Sequence, residues 1–125
     1  MFYLYLIITV LLSLTILIFG FIFIKRPPKN INYLYGYRTT MSMKNQDTWD
    51  FAHRYAGKVW IILGFISLFI FTPLTIILKG EKNYDYIMLV LIILQVSFLI
   101  LVIPFTETAL RKTFDKDGKR KNNRI

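Results

Sequence analysis

The sequence predicts an all-α membrane protein with three transmembrane helices and a cytoplasmic interfacial helix before the second. Of its 125 residues, 55% are hydrophobic and only 18% are charged, whereas soluble domains average about 25% charged residues. The apolar residues form three uncharged blocks, residues 2–24, 59–78 and 86–106. Each block is long enough to cross a hydrocarbon core of roughly 30 Å as a helix. We therefore expect one membrane domain over residues 1–125.

The first block is expected to remain in the protein as a membrane helix. A cleaved signal peptide would have a positive N-terminal region and a small-residue cleavage site, and neither is present in residues 1–26. Pro27 and Pro28 should end this helix, because proline cannot donate a backbone hydrogen bond and disfavours helix in the residue before it.

The cations predict the orientation. Seven Lys and Arg residues lie in the 25–58 loop and seven lie in the 107–125 tail, whereas the 79–85 connection has only two. Segments rich in Lys and Arg stay cytoplasmic, so we expect the N-terminus outside the plasma membrane and the C-terminus inside. The net charge of +9 then implies the anionic inner leaflet as a partner, and we expect no nucleic-acid partner.

A helix is expected over residues 46–56, just before the second span. Asn45 can cap its first amides, and apolar residues recur at three- and four-residue steps, which predicts a helix lying in the interface. Trp49, Tyr55 and Trp60 are then expected at headgroup depth.

Prolines and glycines predict how the later spans are shaped. Pro73 and Pro104 should kink or end their helices. The seven-residue connection 79–85 requires a tight antiparallel hairpin. Gly57 and Gly64 lie two turns apart, and we expect their smooth strip to admit another helix closely.

No ionisable residue lies inside any of the three blocks, which speaks against a proton- or ion-coupled transporter. Gln95 is the polar residue nearest mid-span. Its amide needs a partner, either on another helix or on another subunit. Packing between helices and the lining of a pore or ligand site both remain open for this residue.

Catalytic and metal chemistry have little support in the sequence. With no cysteine and one histidine, we expect no metal site, and we expect no cofactor and no enzyme activity. Asp47 and Asp50 are interpreted as charge pairs with Arg54 and Lys58 on an exposed helix face. One catalytic alternative is kept, a headgroup-layer enzyme that uses Arg38, Asp47, Asp50 and His53.

The segment 35–58 is the most distinctive in the chain. It resembles the SdpI family of bacterial membrane proteins, in which Gly-Tyr-Arg-Thr is followed by Ser, Asn, Trp, Ala-Asn and a Gly that enters a membrane helix. His53 stands where the family has that second Asn. The tail is similar to the family through Glu107, Leu110, Phe114, Asp115 and Gly118. The matching motif positions are Gly36, Tyr37, Arg38, Thr39, Ser42, Asn45, Trp49, Ala52 and Gly57.

The resemblance implies an immunity protein of the bacterial plasma membrane that resists a secreted antimicrobial peptide toxin without catalysis. It further implies two partners, the peptide toxin and a cytoplasmic repressor that is captured at the membrane. The alternative is a small channel or transporter subunit that forms homo-oligomers, with Gln95 along the path.

Within the motif we expect Arg38 to bind phosphate or carboxylate. Ser42 and Asn45 should hold the loop, with Trp49 as its anchor. Glu107 is expected to pair with Arg38 or Arg54, since all three should lie at a similar depth in the membrane.

Overall fold

The computed structural model describes residues 1–121, and these contain four α-helices and no β-strand. The helices are α1 (Phe2–Lys25), α2 (Gln46–Ile66), α3 (Thr72–Ile77) and α4 (Tyr84–Thr113). A π-helical turn over Ser67–Phe71 joins α2 to α3, and a 3₁₀ turn over Leu78–Gly80 follows α3. The end of the basic tail, residues 122–125, lies outside the described residues.

Three helical rods are long and apolar enough to cross a membrane, namely Phe2–Lys25, Gln46–Gly80 and Tyr84–Thr113. The prediction of an all-helical, multi-pass membrane protein is therefore confirmed. Large apolar side chains remain exposed along all three rods, as expected of surfaces that contact lipid rather than water.

The second rod starts at the predicted cap. Asn45 Oδ1 accepts the backbone N–H of Thr48 at 2.9 Å, and Thr48 Oγ1 accepts the N–H of Asn45 at 3.1 Å. This reciprocal pair is a capping box. Residues 46–56 continue without a break into the span. Their helical state is as predicted, and their position at the membrane interface remains a prediction.

The two prolines have different effects. The π-helical turn directly precedes the turn that contains Pro73, where the missing N–H of proline interrupts the hydrogen-bond ladder of the helix. Pro104 does not end α4, which continues to Thr113. Of the two predicted outcomes, termination at Pro104 is therefore wrong, and the last span carries on as a helix into the basic tail.

Small residues bring α1 and α2 into close contact. A Cβ added at Gly57 would lie 2.8 Å from the carbonyl oxygen of Gly20, and one added at Gly20 would lie 3.0 Å from the carbonyl oxygen of Gly57. A Cβ at Gly64 would lie 2.7 Å from the side chain of Leu17. The predicted strip thus admits α1, and Gly20, which sequence reasoning missed, is its counterpart on that helix.

The second and third spans are joined by residues 81–83, which makes the predicted hairpin tight. The phenol of Tyr84 donates to the carbonyl oxygen of Thr75 at 2.9 Å. The ring of Tyr84 also packs edge-on against Tyr5 of α1, with centroids 5.7 Å apart. These contacts fasten all three rods at this end of the molecule.

Candidate functional site

At the opposite end, the loop after α1, the start of α2 and the segment after the third span fold together. We call this region the polar cap, which comprises residues 26–58 and 107–121. It contains every motif residue that the sequence singled out outside the spans.

Gly36 places the loop against His53. Its φ of +119° is a backbone conformation that side chains rarely adopt, and a Cβ there would lie 2.6 Å from Nε2 of His53. The next N–H, that of Tyr37, donates to the same Nε2 at 2.9 Å. Glycine is therefore required here by both conformation and space.

His53 is fully buried and holds the loop as a neutral ring. Nδ1 lies 2.8 Å from the carbonyl oxygen of Trp49 and must carry the proton, because Nε2 accepts from Tyr37. Burial lowers the pKa of this imidazole, with opposing contributions from the Trp49 carbonyl and the Asp50 charge. The imidazole is therefore neutral, with Nδ1 as its hydrogen-bond donor and Nε2 as its acceptor.

A short turn follows the Gly-Tyr-Arg-Thr sequence. The N–H of Thr39 donates to Ser42 Oγ at 2.8 Å, and Ser42 Oγ lies 2.9 Å from the carbonyl oxygen of Tyr37. Thr48 Oγ1 in turn lies 3.0 Å from the carbonyl oxygen of Ser42. Ser42 and Asn45 hold the loop as expected, and Thr48 joins them.

Trp49 is enclosed in the polar cap and has no exposed surface. Its indole N–H donates to the carbonyl oxygen of Pro28 at 2.7 Å. Its ring packs on His53 at 4.4 Å between centroids, and its depth at the level of the headgroups remains a prediction. Its role as anchor of the loop agrees with these contacts.

Glu107 lies just after the third span and accepts two hydrogen bonds from the loop. Its Oε2 accepts the phenol of Tyr37 at 2.7 Å and the hydroxyl of Thr39 at 2.8 Å. Desolvation and the hydrogen bond to Glu107 both raise the pKa of the Tyr37 phenol. The loop is thereby tied to α4 by Tyr37 and Thr39, two motif residues whose bonds to Glu107 sequence reasoning missed.

The predicted ion pair of Glu107 with Arg38 or Arg54 is not formed within the described residues. Successive side chains of extended backbone point to opposite sides. Tyr37 and Thr39 both reach Glu107, whereas Arg38 between them turns outward, and its guanidinium donates to the carbonyl oxygen of Tyr33. Arg38 is exposed, so it remains accessible to an anion.

The tail completes the polar cap. Gly118 lies in a turn with a φ of +83°. Its carbonyl oxygen accepts a hydrogen bond from Asn45 Nδ2 at 2.7 Å. Phe114 is buried and packs edge-on against Phe51 at 5.4 Å. The side chain of Asn45 thus caps α2 with its oxygen and holds the tail with its nitrogen.

The acidic residues of the first turns of α2 have other partners than predicted. Asp47 forms a bidentate pair with Arg120, with both N···O distances 2.9 Å, and Asp50 accepts from Gln46 Nε2 at 2.8 Å. The expected pairing with Arg54 and Lys58 is wrong, because the folded tail brings Arg120 to this face. No hydrogen bond joins any two of the four residues of the catalytic alternative in the described chain.

Gln95 lies within the bundle and has no exposed surface. Its amide nitrogen lies 2.5 Å from Ser67 Oγ, 3.3 Å from Ser13 Oγ and 3.2 Å from the carbonyl oxygen of Thr9. Ser13 and Ser67 also lie 2.6 Å apart. One chain therefore supplies partners from α1 and the π-helical turn, as the helix-packing interpretation expects.

Comparison with known proteins supports the resemblance seen in the motif. The model of the SdpI/YfhL protein family matches residues 29–106. The chain is 48% identical over 40 residues to a protein of Bacillus subtilis (strain 168) named uncharacterized protein YfhL. That stretch covers 32% of this chain and 36% of the relative, so the chain matches about a third of the relative's length. No solved structure matches the chain.

Proposed function

The chain belongs to the SdpI/YfhL family of membrane proteins, and from this premise we propose that it is an immunity protein of the bacterial plasma membrane. In this role it protects its bearer against a secreted antimicrobial peptide, without catalysis. The observation that carries the proposal is the family match over residues 29–106, which includes the loop of the polar cap and both later spans.

The chemistry of the motif supports a binding role over a catalytic one. His53 uses both ring nitrogens in bonds within the chain, and Glu107 accepts two hydroxyls. Groups held in this way position a loop, whereas a general acid or base needs access to a substrate proton.

We further propose that the N-terminus lies outside, so that the hairpin 81–83 faces the medium and the polar cap faces the cytoplasm. The two regions rich in Lys and Arg support this orientation. The chain has no native cysteine, which permits labelling at single sites. A membrane-impermeant maleimide should label Glu81→Cys in intact cells, and should label Asp117→Cys only after permeabilisation. The reverse pattern would overturn the orientation.

In that orientation the half of the second rod from the π-helical turn at mid-span to Ile77 lies on the side from which a secreted peptide arrives. An open apolar groove of about 490 Å³ lies there, lined by Leu68, Phe69, Thr72, Pro73, Ile76 and Ile77. Amphipathic peptides bind such grooves through their apolar face. We propose this groove as the contact for the toxin.

Protection is tested by expressing the chain in a sensitive strain and measuring killing by a panel of peptide toxins. Survival against at least one toxin is expected, and Phe69→Ala should reduce it. Phe69 is 66% exposed, so the variant should still fold. Ile93→Ala, at a side chain on α4 that is 57% exposed, is the matched control. Unchanged killing by every toxin would contradict the proposal.

Signalling to a cytoplasmic repressor is the second part of the proposed function. The bonds of Glu107 to Tyr37 and Thr39 connect the third span to the loop, so a shift of α4 would move the loop. Toxin should then change the maleimide labelling rate of Thr40→Cys, on the exposed part of the loop, and not that of Lys25→Cys, at the exposed end of α1 on the same side. Equal labelling rates of Thr40→Cys with and without toxin would contradict the proposed signalling.

A further inference from the structure

A cleft of about 220 Å³ opens beside the motif, between the ends of the membrane helices. All three rods contribute to its walls, through Phe23 of α1, Trp60 of α2 and Val102 of α4, and the loop 36–39 closes it. The remaining lining residues are Leu99 and Ile103. Hydrocarbon surface therefore meets the polar cap at this point.

The lining residues indicate at which level of the membrane this cleft lies. Phe23 and Trp60 lie within two positions of the ends of their uncharged blocks, and Val102 lies four positions from the end of its block. At 1.5 Å per residue these positions are within about 6 Å of the border between hydrocarbon and headgroups. Lipid headgroups and the upper parts of acyl chains occupy this level.

The lining of this cleft includes one cationic side chain, that of Arg38. Arg38 lines it and is exposed, and its guanidinium has no carboxylate partner among residues 1–121. Glu107, the nearest acidic residue in the hydrogen-bond network, is held by Tyr37 and Thr39 and is not part of the lining. A planar guanidinium beside apolar walls suits a phosphate that carries hydrocarbon.

Trp60 contributes a further polar group. Its indole N–H is buried and has no hydrogen-bond partner within the described part of the chain, although buried donors are generally paired. Its ring stacks on Phe23, with centroids 5.2 Å apart. An ester or phosphate oxygen in the cleft would offer this donor an acceptor.

We propose that this cleft binds one anionic phospholipid, with its phosphate on Arg38 and its acyl chain along Phe23, Trp60 and Val102. Apolar walls alone would accept any lipid, and the guanidinium adds the preference for an anionic headgroup. The site depends only on the membrane location of the chain, so it does not rest on toxin resistance.

Fluorescence of Trp60 tests the proposal in the full chain. The protein is placed in nanodiscs that contain equal fractions of phosphatidylglycerol and phosphatidylcholine, with bromine on the acyl chains of one lipid at a time. Bromine quenches only at close range. The second tryptophan, Trp49, lies inside the polar cap and should give a constant background. Phosphatidylglycerol should be enriched beside Trp60 about fivefold, which corresponds to about 1 kcal/mol per basic residue near an anionic surface.

The controls separate this site from general attraction to the charged surface. Arg38→Gln should equalise quenching by the two lipids, whereas Arg54→Gln, which removes an exposed cation elsewhere on the polar cap, should leave the preference in place. Trp60→Phe should abolish the lipid-dependent signal. Equal quenching in the unmodified chain, or a preference retained in Arg38→Gln, would overturn the proposal. Equal quenching by the two lipids, together with a change in Trp60 fluorescence on adding inorganic phosphate, would overturn the lipid assignment in favour of a free anion.

Discussion

The phenol of Tyr37 donates to Oε2 of Glu107 at 2.7 Å, and so joins the loop after the first span to the end of the third. A hydrogen bond to a charged acceptor contributes about 1.5–3 kcal/mol to stability. The hydroxyl of Thr39 donates to the same oxygen. Oε2 of Glu107 therefore has two hydrogen-bond donors at the polar cap.

Tyr37→Phe should lower the free energy of unfolding by about 1–2 kcal/mol, because the charged acceptor loses one of its two donors. Denaturant titration of the purified protein in detergent measures this change. Tyr35→Phe is the matched control, because Tyr35 lies in the same loop and is held there by its backbone N–H, which donates to Asn32 Oδ1. An equal loss in both variants would contradict the assigned role of Tyr37.

The phenols of Tyr35 and Tyr37 differ in their hydrogen bonds. Within the described residues the phenol of Tyr35 makes no hydrogen bond, and its ring packs edge-on against Phe23, with centroids 6.2 Å apart. Removing that hydroxyl should therefore leave the free energy of unfolding close to that of the unmodified chain, whereas Tyr37→Phe removes a bond to a carboxylate.

A double-mutant cycle should distinguish the two neighbours of Glu107 in the loop. Tyr37→Phe combined with Glu107→Ala should show a coupling energy of about 1 kcal/mol, because each change removes the hydrogen bond that the two side chains share. The cycle of Arg38→Gln with Glu107→Gln should give a coupling within about 0.5 kcal/mol of zero. A larger coupling for Arg38 would restore the ion pair that the sequence predicted.

Acid should loosen the polar cap through His53. Its pKa is lowered in the folded state, so the folded chain favours the neutral ring. This contribution to stability is fully present above the unfolded pKa of about 6.5 and is lost as the pH falls below that value. Unfolding measured between pH 7.5 and 5.5 should show the decline. His53→Gln, which keeps an acceptor for Tyr37 and cannot titrate, should flatten it, and an unchanged slope would argue against His53.

Gly57→Ala should separate α1 from α2, because the new methyl would lie 2.8 Å from the carbonyl oxygen of Gly20. Overpacking of this kind costs about 1–3 kcal/mol, which a lower unfolding temperature in detergent would report. Gly80→Ala is the matched control, since a Cβ there meets nothing within 4 Å. Equal melting of both variants would show that close packing at Gly57 is unimportant.

Gln95→Leu should destabilise the bundle by about 0.6–1.7 kcal/mol, the range found for hydrogen bonds between membrane helices. Ser97→Ala is the control, because that hydroxyl bonds only to the carbonyl oxygen of Ile93 on its own helix. Ion flux through liposomes that contain the protein provides a second measurement. Flux that disappears in Gln95→Leu would favour the channel alternative instead.

The spans, the cap at Asn45 and the smooth strip at Gly57 could be predicted from the sequence because each depends on local pattern. Uncharged length indicates a span, and an Asn before a helical repeat indicates a cap. The partners of Glu107 and Asp47 could not be predicted in this way. They depend on where the third span and the tail arrive, at positions about 70 residues away along the chain.

Trp49 shows what residue type alone leaves out. Tryptophan favours the headgroup level, and this ring is in addition enclosed by the loop and donates to the carbonyl oxygen of Pro28. No pattern in the sequence marks that enclosure, since it requires the positive φ of Gly36 to bring the loop back over α2. Arg38 is exposed, and its expected binding of phosphate or carboxylate stays a prediction.

The bond from Asn45 Nδ2 to the carbonyl oxygen of Gly118 has a consequence for biosynthesis. A ribosome releases Asn45 long before it makes Gly118, and the third span must insert in between. The early loop therefore stays partly unpaired until the ribosome has made residue 118. Completion of the fold at this end is thus timed by a segment that follows the third span, and nascent chains halted before residue 118 would leave the loop open to proteases on that side of the membrane.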